Sequence, residues 1–127
     1  MRDLIILTDK PITYESINQI IKKEFKSYPL LNDSHNLIYI KKKCSGFELE
    51  LSPNDILSDP ECMMDDTVDR CPNKEAYLTN LSYTSIPIAK RIIKLIINNY
   101  GNMWIQSDEA DDWFGTAQEF LDNYNEI

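Results

Sequence analysis

An amphipathic helix held between two strands constrains this chain more than any other stretch. Ile88, Ala89, Ile92, Ile93, Leu95, Ile96 and Tyr100 recur at three- and four-residue spacing and make a wide apolar face, with Lys90, Arg91, Lys94 and Asn98 opposite. A helix of this pattern is stable only when another apolar layer covers that face. The sequence supplies that layer on both sides, as AYLTNLSY (76–83) before the helix and NMWIQS (102–107) after it. Ser85 is placed to accept hydrogen bonds from the unpaired first-turn amides, and Pro87 has no amide hydrogen to lose there. Gly101 tolerates the left-handed conformation that ends helices.

The remaining segments supply a sheet for it. DLIILT (3–8) is apolar on both faces, as a strand in the middle of a sheet must be. Thr13 is a helix N-cap, Ile12 and Ile17 form a hydrophobic staple, and Ile17, Ile20, Ile21, Phe25 and Tyr28 line one face of a helix that Pro29 ends. LIYIKK (37–42) and FELELS (47–52) read as an antiparallel hairpin across a turn containing Ser45 and Gly46. Phe47, Leu49 and Leu51 face inward there, and Lys41 or Lys43 is expected to pair with Glu48 or Glu50 across the strands. Residues 53–75 contain three prolines and no sustained period and read as a long acidic loop, with Met63 and Met64 pinning it to the core. Thr116 and Glu119 form a capping box for a last helix with Ala117, Phe120, Leu121 and Tyr124 on its apolar stripe. This order predicts a single α+β domain over residues 1–127: a mixed, largely antiparallel sheet of about five strands, with three helices mainly on one face.

Several chemistries are disfavoured. No apolar run approaches the roughly 20 residues of a membrane span, and LIIL is too short for a signal-peptide core, so a cytoplasmic protein is expected. The cysteines, Cys44, Cys62 and Cys71, are odd in number and form no C-x-x-C pair, and with His35 their spacings match no familiar zinc module. Reduced thiols and no metal are expected. Asp65, Asp66 and Asp69 begin like a calcium loop but lack its glycine and terminal glutamate. His35 is solitary, G-x-S-x-G is missing, and three glycines are too few for phosphate-cradling loops. Adjacent acids in a polar loop are ordinarily solvated, so no catalytic residue and no cofactor is expected.

Charge distribution is the more informative signal. Of the net −8, residues 1–47 and 76–103 together carry +6, and residues 48–75 and 104–127 carry −14. A surface of that kind repels nucleic acid and anionic membranes and raises the encounter rate with a basic protein. The densest block is SDEADDWFG, where Asp108, Glu109, Asp111 and Asp112 surround Trp113 and Phe114. Aromatic anchors rimmed by charge are the make-up of a protein-interface hot spot, and the competing reading is that the rings plug the core beside Gly115. The candidate partner-binding residues are these six, with Asp65, Asp66 and Asp69 from the first acidic stretch.

In its whole-chain layout, its AKRIIKLI helix and its tail MWIQSDEADDWFGTAQEFL, the chain resembles the small acidic immunity proteins that bacteria encode beside polymorphic or contact-dependent growth-inhibition toxins. The resemblance implies a cytosolic protein that binds a cognate toxin domain, often a basic nuclease, and blocks its active site or substrate groove. It transfers no binding residue by position, so the residues named above rest on charge and aromaticity. An adaptor or regulatory module, or a metal-dependent hydrolase, has the same composition.

The cysteine pattern sets a first test. Thiol titration of the denatured protein is expected to find three reactive groups and no stoichiometric zinc; fewer thiols, or bound zinc, would contradict the reading.

Overall fold

The computed structural model describes residues 2–34, 36–60, 65–107 and 112–124. Along the chain the elements are β1 (Arg2–Thr8), α1 (Tyr14–Glu24), β2 (Leu30–Ser34), β3 (Leu37–Lys42), β4 (Ser45–Ile56) and α2 (Asp65–Arg70). They are followed by β5 (Tyr77–Tyr83), α3 (Ile86–Tyr100), β6 (Met103–Ser107), β7 (Phe114–Thr116) and α4 (Ala117–Asn123). The strands form one sheet in the order β2-β3-β4-β5-β1-β6-β7, and its neighbours pair antiparallel throughout. The protein is α+β, as the sequence predicts, with seven strands and four helices among the described residues. None of these helices is long and apolar enough to cross a membrane.

β1 is the inner strand that its two apolar faces require. It pairs with β5 along one edge (Leu4 opposite Leu81, Ile6 opposite Thr79) and with β6 along the other (Ile6 opposite Ile105). β5 and β6 therefore run parallel to each other, and α3 crosses over β1 to join them. Leu4 and Ile6 point into the larger core, where they meet Ile17, Ile21, Ile92, Ile93, Ile96 and Phe120 from α1, α3 and α4. Leu7 has the opposite parity and lies in a second cluster with Leu57, Cys71 and Ala76, which brings α2 to the other face. Three helices share one face and α2 lies opposite.

The caps follow the sequence in two helices of three. Thr13 accepts from the Ser16 amide at 3.3 Å, and Thr116 and Glu119 complete the reciprocal capping box. The Thr116 amide, donating to Glu119, holds that carboxyl below the usual glutamate range. At α3 the Ser85 side chain makes no capping bond; Pro87 in the first turn already removes one orphan amide. Gly101 ends α3 with a φ of 74°.

Other boundaries move. α1 stops at Glu24, with Phe25 as its C-cap, and the chain enters the unexpected edge strand β2 straight after Pro29. Phe25 still reaches the core. The β3–β4 turn falls on Lys43 and Cys44, with Lys43 at φ 56°, so Lys42 pairs with Ser45. That register sets Glu48 opposite Tyr39 and Lys41 opposite Gly46, and the expected Lys–Glu cross-strand pairs do not form. The long acidic loop is interrupted at both ends: β4 continues through an irregularity to Ile56, and residues 65–70 are helical. Met63, Met64, Cys62 and His35 lie outside the described residues.

Ile92 lies fully buried in α3, within the larger core. Ile92→Ala is expected to cost about 2–5 kcal/mol in urea unfolding with no change in slope; a loss under about 1 kcal/mol would remove α3 from the core.

Candidate functional site

The two acidic stretches meet at one end of the sheet. α2 docks by burying Thr67 and setting Val68 and Cys71 against Leu7, Leu57 and Ala76. Phe114, at the start of β7, packs on the same cluster, together with Trp104 and Leu78. One small apolar cluster thus holds the end of the 53–75 stretch beside the 107–114 stretch. Burial pushes the Cys71 thiol up, which makes it a packing group rather than a nucleophile.

A polar clamp lies over this cluster. Arg70, the last residue of α2, donates from Nη2 to Asp112 Oδ2 at 2.8 Å and from Nη1 to the Asp112 carbonyl at 3.2 Å. Gln106 on β6 is 2% exposed and donates to Asp112 Oδ1 at 3.1 Å and to the Ser107 carbonyl at 3.0 Å. Its Oε1 accepts from Thr67 at 3.4 Å. The Arg70 guanidinium, then the neighbouring Gln106 amide, hold the exposed Asp112 carboxyl below the usual aspartate range. Asp112 has a φ of 43°, in the left-handed region that Asp tolerates better than most residues, and these bonds hold it there.

The base of the acidic turn is closed from both sides. The Ser107 amide donates to the Trp113 carbonyl at 2.8 Å, and the Ser107 hydroxyl lies 3.2 Å from the Tyr124 hydroxyl. Trp113 packs edge-on against Phe120 and Tyr124, each with ring centres 5.6 Å away. A side chain at Gly115 would come within 2.7 Å of the Trp113 ring, so only glycine leaves room for the indole. Consecutive residues at the sheet edge face opposite sides, which sends Trp113 to the helical layer and Phe114 to the second cluster.

The exposed ring expected in this segment is therefore not found: Trp113 and Phe114 are each half-buried, one in each apolar cluster. Large exposed apolar side chains among the described residues are Leu30 and Leu31, on the edge strand β2. Asp112 is engaged by Arg70, and Asp69 is exposed on α2. Asp65 and Asp66 form the first residues of α2. Asp108, Glu109 and Asp111 lie outside the described residues. Thr67, Arg70 and Gln106 escape sequence reasoning. Their one signal is that Arg70 is one of two bases among residues 48–75.

Among the described residues no group of three or more His, Cys, Asp or Glu side chains is placed to hold a metal ion. Compared with known proteins, the chain matches no family model, no curated protein and no solved structure.

The clamp has a defined pH response. Asp112 has a lowered pKa in the folded protein, so its contribution is present above the ordinary aspartate value and is lost as pH falls through the folded value. Carbon-detected NMR titration is expected to find Asp112 below the ordinary aspartate value of about 3.9. Arg70→Gln is expected to raise it, and an Asp112 midpoint indifferent to that change would disprove the clamp.

Proposed function

We propose that this protein is a cytosolic immunity protein that neutralises a cognate toxin domain stoichiometrically. It covers a basic groove on that domain with the acidic residues of the 55–75 and 107–114 stretches. The observation that carries this reading is the Arg70–Asp112 clamp, which ties the last residue of α2, in the first stretch, to Asp112, in the second, although they lie far apart in the chain. A joined surface presents its carboxylates together and strengthens the local field that steers a cationic partner. Residues 48–75 and 104–127 keep a net charge of −14 with the clamp's arginine already counted.

In this reading Asp108, Glu109 and Asp111, with Asp65, Asp66 and Asp69, meet the partner, while Asp112, Trp113 and Phe114 brace the turn from behind. An adaptor without a toxin would use the same surface. A neighbouring gene encoding a large secreted protein with a variable C-terminal domain decides for the immunity reading.

The experiment is binding kinetics against that C-terminal domain over a salt series. Wild-type association is expected to slow by roughly tenfold or more as salt rises, because exposed charges are screened beyond about 8 Å at physiological ionic strength. Asp108→Asn, Glu109→Gln and Asp111→Asn together should slow association at low salt and leave the Arg70–Asp112 bond intact. Salt-independent association, with normal protection of cells by the triple variant, would show that these acids are only solvating surface.

A further inference from the structure

The helical layer carries a groove that the acidic cluster does not use. It lies between α3 and α4 with a volume of about 440 Å³, bordered by Lys90 and Lys94 from α3 and by Gln118 and Leu121 from α4. Ile97 and Leu121 supply its apolar part; both are half-buried and packed against the core. A second depression of about 300 Å³ shares Ile97 and Gln118 with it and is lined also by Gly101, Trp104 and Thr116.

Its charge is opposite to that of the rest of the molecule. Residues 86–100 hold three cations and no acid, against a net charge of −8 for the chain. Arg91 is already committed: its Nε lies 3.2 Å from Glu24 Oε1, and its guanidinium lies 4.3 Å from the Phe25 ring centre. Among the described residues Lys90 and Lys94 hold no ion pair. They stand one helical turn apart, a spacing of roughly 6 Å that carboxylates at positions i and i+4 of a second helix reproduce. On the far wall Asp122 accepts a hydrogen bond from Gln118 at 3.1 Å and repels anions from that side.

We infer that this groove binds an acidic amphipathic helix of another polypeptide. The partner's aliphatic stripe sits on Ile97 and Leu121, its carboxylates meet Lys90 and Lys94, and Asp122 fixes which way its acidic side turns. From Pro87 to Asn98 the α3 wall rises about 16 Å, the length of three helical turns. A nucleic acid suits it poorly, because the lining of the groove itself is aliphatic and polar without an aromatic ring on which a base could stack, and the whole chain is acidic. This surface is separate from the acidic cluster and does not depend on the function proposed for it.

The test uses the intact protein and a fluorescein-labelled synthetic helix about four turns long, with leucines on one stripe and glutamates spaced i, i+4 beside it. A second peptide replaces each glutamate with glutamine. The acidic peptide is expected to bind below about 1 mM, with amide shift changes confined to α3 and α4. The glutamine peptide, and the Lys90→Glu/Lys94→Glu variant, should each bind about tenfold more weakly or worse. Gln118→Trp, which fills the groove without changing charge, should block binding, and thermal melts confirm that the variants fold. No binding at about 1 mM, binding that survives both variants, shifts centred on the acidic cluster, or equal binding of inorganic phosphate or a single-stranded RNA oligonucleotide would each overturn the inference.

Discussion

The structure depends on the burial of β1 on both faces and along both edges. A strand with Leu4 and Ile6 on one side and Leu7 on the other cannot be satisfied by one helical layer. The first two residues recruit α1, α3 and α4. Leu7 needs separate cover, and the chain supplies it by returning over the far face through Leu57, α2 and Ala76. Each fully buried aliphatic side chain gains about 1.5–3 kcal/mol from leaving water, so uncovering even one would remove a sizeable part of a small domain's stability.

That second layer creates the candidate site. An ion pair as exposed as Arg70–Asp112, with side-chain exposures of 35% and 61%, contributes on the order of 0–1 kcal/mol and does not hold α2 in place by itself. The apolar cluster under it, with Val68, Cys71 and Phe114, does the holding. The clamp instead decides geometry: it fixes where the acidic turn leaves the sheet. Gln106 strengthens the arrangement because a buried amide must have partners, and Thr67, Arg70, Ser107 and Asp112 are among those it finds.

Within the helical layer, α3 stands out as the helix with three cations and no acid. Arg91 of α3 pairs with Glu24 of α1, whereas the Arg70–Asp112 clamp ties α2 to the chain just before β7. The α3–α4 groove and the Arg70–Asp112 clamp share no residue.

Periodicity alone determined β1, α3, the Phe47–Leu51 face and the final capping box, because these are local patterns in which each residue's neighbour in sequence decides its environment. Charge counting located the two acidic stretches for the same reason. Tertiary structure decided the rest. β2 and β7 carry too little alternation to announce themselves and exist because β3 and β6 offer unpaired edges. α2 forms where Leu7 requires a cover, in a segment whose composition reads as loop. Trp113 and Phe114 look alike in sequence, yet one faces the helices and the other the second cluster, because the pleat at a sheet edge sends consecutive side chains to opposite sides. The Arg70–Asp112 clamp joins residues 42 positions apart. No local pattern encodes such a pairing, since it depends on two separately packed elements arriving at the same corner.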